Sequence, residues 1–331
     1  MIHPSDHASR PRGWSRRRLL PAAALVLAAL AIVLSPRGVA RAQAPVSHPY
    51  AGLTYIEATM TMPRPIRAHV LQIDLTAPGI RLMLTPPAGP RETVRQTTAD
   101  FVATVHAQAG INGHFFLPFP STDTAAWLVG FAASEGRVFS AFESPEQSFA
   151  LVADAPAINI DRANHASIVH RDPARPDGLH VREPVEVWTA LAGSAQIVTD
   201  GVVTIPDYRD AEHPDAALTP GSARNYVRGH SWYDVVTARS AIGLSGDGRT
   251  LTLFTVDARG GSEGMTVGEV ATWLVERYDV RDALNIDGGG STSLALQDPV
   301  TGTVALVNTS SDNPAGRAVG SSLAVFARPA R

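Results

Sequence analysis

The chain has 331 residues, 44% hydrophobic and 18% charged, a balance that supports one large folded domain or two small ones around a sizeable core. All 28 basic residues are arginine, which excludes Schiff-base catalysis and the lysine of a nucleotide-binding phosphate loop. Cysteine is absent, so disulfides, thiolate metal sites, a catalytic thiol and lipid attachment through an N-terminal cysteine are excluded as well.

The N-terminus argues for export. Arg10, Arg12 and Arg16 to Arg18 form a basic region, Leu19 to Leu34 an apolar run, and Ala40-Arg41-Ala42 a small-x-small cleavage pattern. The apolar run is short for a membrane span, so residues 1–42 read as a signal peptide, with an uncleaved N-terminal anchor as the alternative. Ser15-Arg16-Arg17-Arg18-Leu19-Leu20 also fits a twin-arginine signal. Removing residues 1–42 takes away seven of the 28 arginines and one of the 31 acidic residues, moving the net charge from −3 to −9. The expected product is periplasmic or extracellular, with no stable membrane span. So acidic a chain is a poor partner for nucleic acid, and an anionic substrate would have to be met by local arginines.

Residues 43–52 read as a linker and 53–331 as a single domain. Alternating runs predict strands over Thr54–Met60, Ala68–Leu75 and Ile80–Thr85. Helical spacing follows from Thr97 to Gln108, then a strand ending in Asn112-Gly113-His114-Phe115-Phe116. Further strands are expected over Trp127–Ala132, Ser148–Ala153, Ala157–Ile160 and Glu186–Leu191. Pro206 to Asp234 is polar and aperiodic, and reads as an excursion over the site with His230, Trp232 and Tyr233 as substrate contacts, or as an exposed variable loop. Ser240–Leu244 and Leu251–Asp257 form a hairpin around Ser-Gly-Asp-Gly. Met265 to Tyr278 is the best helix, with Thr266 and Glu269 spaced as a capping box. Strands follow at Asp282–Asp287, Thr292–Leu296, Val304–Val307 and Ser322–Phe326. This order predicts an α+β fold, a strand-rich mixed sheet system with a few helices packed on it.

Polar residues gather where predicted strands end: Asn112 with His114, Arg239, Asp257 with Arg259, and Asp287 followed by Gly288, Gly289, Gly290, Ser291 and Thr292. Asn308 and Arg317 add a fifth group. A carboxylate beside a glycine-rich turn suits a charged, oxygen-rich substrate, because glycine lets the backbone approach a ligand closely. Each residue also has a plainer reading. Asp287 and Asp257 could cap turns, Arg239 and Arg259 could be surface ion-pair partners, and His114 a hydrogen-bonded structural histidine.

Five motifs in order resemble the phosphodiester glycosidase family over residues 68–327. They are Asn112 to Phe116, Gly193-Ser194 with Asp200-Gly201, Arg239 to Gly243, Asp257 and Arg259 with Gly264 to Thr266, and Asp287 to Ser291. His114, Ala258 and Thr309-Ser310 depart from the family's usual residues. The resemblance implies a hydrolase that cleaves between a sugar's anomeric carbon and a phosphate oxygen, acting in envelope or exopolysaccharide metabolism on a sugar phosphate or phosphorylated glycan. It makes Asp287 and Asp257 the carboxylate pair and Arg239, Arg259 and Arg317 the phosphate ligands, assisted by the backbone of Gly288–Ser291. Asn112 and His114 would bind sugar hydroxyls or orient a carboxylate. No cofactor is required, although a divalent cation would be compatible. Two other readings stay open. One is a non-catalytic envelope protein that binds anionic glycans; the other is a metal-assisted phosphodiesterase with Asp257, Asp287 and His114 as ligands.

Overall fold

Apolar alternation on both faces of long strands builds a layered body in the computed structural model, which describes residues 45–142, 155–205, 216–218, 226–228 and 232–330. The signal peptide, the whole Ser148–Ala153 strand and His230 lie outside the described residues. Eight strands carry the argument: β1 (Leu53–Met60), β2 (Ile66–Asp74), β3 (Ala109–Asn112), β4 (Arg239–Ser245), β5 (Thr250–Val256), β6 (Val280–Ile286), β7 (Leu294–Gln297) and β8 (Ser322–Phe326). The main sheet is antiparallel, with central order β1-β2-β5-β4-β6, continued by Ala195–Thr199 and Val202–Val203 beyond β6 and by Val46–Ser47 beyond β1. A second sheet runs Val304–Leu306, β7, β3, β8, Arg81–Leu84. A third five-stranded sheet, built from residues between 132 and 192, packs part of its apolar face on the same core.

The two large sheets face each other. Leu71, Leu253, Ile242 and Ile286 of the first meet Leu84, Ile111, Leu294 and Leu323 of the second. Each side chain of this size contributes about 1.5–3 kcal/mol when fully buried. Because the strand period is two, a one-residue slip would turn this set out of the core, so packing fixes the register. The outer face of the main sheet takes α2 (Val267–Tyr278), whose Val267, Val270, Ala271 and Leu274 pack on Val70, Phe254 and Ala283. The predicted capping box is present: Thr266 and Glu269 exchange side-chain to backbone hydrogen bonds. The helix ends where Asp279 adopts a left-handed φ of 54°. The outer face of the second sheet takes α1 (Thr98–Thr104) through Phe101 and Val102.

The result is strand-dominated, with two α-helices among the described residues; the α+β expectation holds in this coarse sense, but the strand pairings there are antiparallel rather than mixed. Differences from the expected boundaries have local causes. Helix α1 stops at Thr104 rather than Gln108 because His106 takes φ +57° and turns the chain into β3. The run expected as one strand over Trp127–Ala132 is two, Ala125–Leu128 and Ala132–Ser134, divided at Gly130 with φ +94°. Within Pro206–Asp234, Ala216–Leu218 and Tyr226–Arg228 pair antiparallel and Trp232–Asp234 forms one 3-10 turn. Tyr233 is buried, with its hydroxyl donating to Ser194 Oγ at 3.1 Å, so it belongs to the core.

Candidate active site

Antiparallel pairing brings the polar strand ends together. Strands β5 and β6 both pair with β4, and Ser240 lies opposite Thr255 on one side and Ile286 on the other. Asp257 and Asp287 therefore leave the sheet at the same end, on either side of the start of β4. Two strand spacings place their backbones about 10 Å apart.

Asp287 opens a tight turn. Its N–H donates to Gly113 O at 3.2 Å, and Gly289 at φ +59° begins a single 3-10 turn, Gly289–Ser291. The residue as a whole keeps part of its surface open to solvent, but protein rings its carboxyl. That burial pushes its pKa up to about 7, against the opposing pull of the Ser291 hydroxyl, the Arg317 charge and the Gly288 N–H. The N–H of Gly289 is taken by Ala238 O, that of Ser291 by Gly288 O and that of Thr292 by Gly289 O. With these backbone donors engaged, Arg317 is the main cationic feature of the turn.

Arg317 lies directly over the turn. A Cβ at Gly290 would sit 2.2 Å from Arg317 Nη2 and 2.6 Å from Cζ, so glycine there makes room for the guanidinium. The fork donates to Asp312 Oδ2 at 2.9 Å and to Ser291 Oγ at 3.3 Å, and it stacks over Phe119 with 4.8 Å to the ring centroid. Gly290→Ala should displace the guanidinium while sparing the core. We expect KM for an anionic substrate to rise about tenfold, the loss of one charge-assisted contact, with thermal stability close to wild type. Steady-state kinetics beside a melting curve check this; an unchanged KM would detach Arg317 from substrate binding.

The segment after Val307 ties both carboxylate regions together. Asn308 is buried, accepts from Leu294 N at 2.7 Å and donates to Thr292 O at 3.1 Å. Thr309 N donates to Asp257 Oδ1 at 3.0 Å, and Ser311 Oγ donates to Gly289 O at 2.9 Å. Asn112 plays a similar part from the second sheet. Fully buried, it donates to Asp287 O at 2.6 Å and accepts from Ser240 Oγ at 2.8 Å and Ser293 N at 3.1 Å. Its amide is committed to the protein and fixes the backbone of Asp287.

The other expected site residues face inward or outward rather than into the turn. His114 is fully buried, with Nδ1 2.8 Å from Ser321 Oγ and Nε2 3.1 Å from Phe131 O and 3.0 Å from Ala192 N. Burial pulls its pKa down to about 4, so the ring is neutral at physiological pH. Arg239 is fully buried too, not a surface ion-pair partner. Its Nε donates to Met265 O at 3.2 Å and its Nη2 to Val235 O. Burial pulls it down to about 10, opposed by Tyr233 and Asp234, and it remains charged. Arg259 is exposed at the rim, in a turn whose Gly260 abuts Thr309. Asp257 is fully enclosed: Oδ1 takes Thr309 N, and Oδ2 lies 3.3 Å from His69 Nε2. Among the described residues no cluster of three or more His, Asp or Glu side chains is arranged to hold a metal. His69, Ser311 and Asp312 escaped the sequence reading.

A model of the phosphodiester glycosidase family matches residues 106–326, two thirds of the chain. The chain belongs to the phosphodiester glycosidase family, a family of hydrolases. Over 106 residues, 32% of the chain, it is 32% identical to the N-acetylglucosamine-1-phosphodiester alpha-N-acetylglucosaminidases of Bos taurus and Homo sapiens. It spans 18% and 19% of their lengths. The fold is also that of the zebrafish enzyme's catalytic domain, auto-inhibited by its pro-peptide. That match has a TM-score of 0.57 and 19% identity, covering 86% of this chain and 87% of that one. The family match includes Asp287, Gly290, Asn308 and Arg317. Among the described residues no helix is long and apolar enough to cross a membrane.

Proposed function

We propose that this phosphodiester glycosidase hydrolyses the bond between a sugar's anomeric carbon and a phosphate oxygen in a sugar-1-phosphodiester. One observation carries the reading: the Asp287 carboxyl, on a residue that stays partly open to solvent, stands beside an arginine fork that Gly290 seats over the same turn. Arg317 binds the phosphate and holds the negative charge that develops as it leaves. A phosphate monoester is a good leaving group, so little acid catalysis is needed. Asp287, deprotonated, takes a proton from water as the water oxygen bonds to the anomeric carbon and the carbon–oxygen bond to phosphate breaks. The products are a free sugar and a phosphate monoester.

The enclosure of Asp257 supports a supporting role for it rather than direct contact with the sugar, and Arg239 is assigned to the scaffold for the same reason. Arg259, exposed at the rim, is the second arginine placed to meet the substrate's charge. The relatives' names make an N-acetylglucosamine-1-phosphodiester the first substrate to try. The arginine-rich leader supports action outside the cytoplasm, on an envelope or exopolysaccharide substrate. Incubation with such a diester should release sugar and phosphate monoester catalytically. Tight binding without turnover would favour a glycan-binding protein instead.

A further inference from the structure

Beyond the turn lies a buried polar chain that the reaction above does not use. Tyr55, His69 and Asp257 stand on or next to the neighbouring strands β1, β2 and β5. His69 lies opposite Glu57 on one side and Thr255 on the other, which sets Tyr55 and Asp257 diagonally to either side of it. Tyr55 Oη is 2.7 Å from His69 Nδ1, and the two rings are nearly parallel, 9° apart. His69 Nε2 is 3.3 Å from Asp257 Oδ2, and both residues are all but excluded from solvent. The Asp257 carboxylate only accepts, which places a hydrogen on Nε2; Nδ1 is then the acceptor for the Tyr55 hydroxyl, which burial keeps protonated. Glu57 and Arg67 pair at 3.6 Å on the rim of the same face.

The far end of this chain is the segment that serves the turn. Asp257 Oδ1 takes Thr309 N, Ser311 holds Gly289 O, and Asp312 holds Arg317. A buried carboxylate needs partners for both oxygens, and Asp257 has Thr309 on one and His69 on the other. We infer that Tyr55, His69 and Asp257 form a latch that fixes the Asn308–Asp312 segment, and through it Arg317, with His69 as the positioning residue. The kinetic consequence rests on the function proposed above; the mechanical one does not.

Hydrogen–deuterium exchange of the full-length protein, run beside steady-state kinetics, tests the latch. In His69→Leu, amides of Thr309 to Arg317 should exchange about tenfold faster while those of α2 keep the wild-type rate, the signature of one charged hydrogen bond lost locally. KM for a sugar-1-phosphodiester should rise by about the same factor, with kcat moving less. His69→Gln, which keeps a donor, should recover most of both effects. Should His69→Leu fail to fold, Tyr55→Phe removes only the hydroxyl and should show the same local pattern at about threefold. Unchanged exchange over Thr309–Arg317 in a folded variant overturns the latch, as does acceleration spread evenly over the chain. If exchange responds but the wild type releases no sugar, the latch stands and the catalytic reading falls. If sugar is released and neither readout responds to position 69, the latch falls alone.

Discussion

Asp287→Asn is expected to lower sugar release by about 100- to 10,000-fold while leaving the fold intact, the range set by removal of a positioned general base. The amide has nearly the shape of the carboxyl, and the contacts holding the turn run through the backbone of Asp287, to Asn112 and Gly113. Wild-type activity should rise with pH through about 7, because the base must be ionised and burial holds its pKa near that value. Arg317→Met should push this limb upward, since the Arg317 charge favours the ionised form. Stability gives an independent control. The carboxyl titrates at 3.8 when unperturbed and about 7 in the fold. Its contribution to stability is therefore full below 3.8 and is lost as pH rises through 7. Asp287→Asn should thus gain stability relative to wild type between pH 5 and pH 8, measured by urea midpoints. A variant that unfolds more readily at pH 8 would mean that lost activity reports lost structure.

Arg239→Ala should cost about 3 kcal/mol or more, the sum of two lost charge-assisted hydrogen bonds and the cavity left behind. Arg239 is fully buried at the start of a central strand, where it holds the carbonyls of Met265 and Val235. Those carbonyls would lose a buried donor. Arg239→Lys should recover little, because an ammonium cannot reproduce the guanidinium fork. Equilibrium unfolding separates this from a role in phosphate binding. If Arg239 were a substrate ligand, the alanine variant would melt near wild type and lose substrate affinity instead.

The contrast between Arg239 and Arg317 shows where sequence reading reaches its limit. Both belong to the polar groups expected to gather at the site, and both read as phosphate ligands. Depth separates them, and depth depends on strand order. Eight strands place Arg239 in the middle of the main sheet, covered by segments far away in the chain. The apolar run Ala241–Leu244 signals a strand buried on both faces, which is the clue that its first residue lies deep. Local chemistry was more legible. The capping box at Thr266 and Glu269, the hairpin at Ser245–Gly248 and the Asp287–Ser291 turn all involve residues close in sequence, where spacing alone constrains geometry. His69 and Asp257 meet across 188 positions, and nothing in the alternation of β2 distinguishes a relay histidine from an ordinary core-facing polar residue. His114 carried the opposite ambiguity: its place in a site motif was plain, but its burial against Phe131, Ala192 and Ser321 depends on residues distant in sequence.

The central claim is that the bond broken joins carbon to oxygen, not phosphorus to oxygen. Hydrolysis of a sugar-1-phosphodiester in 18O-labelled water, followed by mass spectrometry of the phosphate monoester, tests it most directly. Attack at the anomeric carbon predicts a phosphate product without label and a free sugar released in equal amount. Label in the phosphate, or a sugar that keeps its phosphate, would contradict the account.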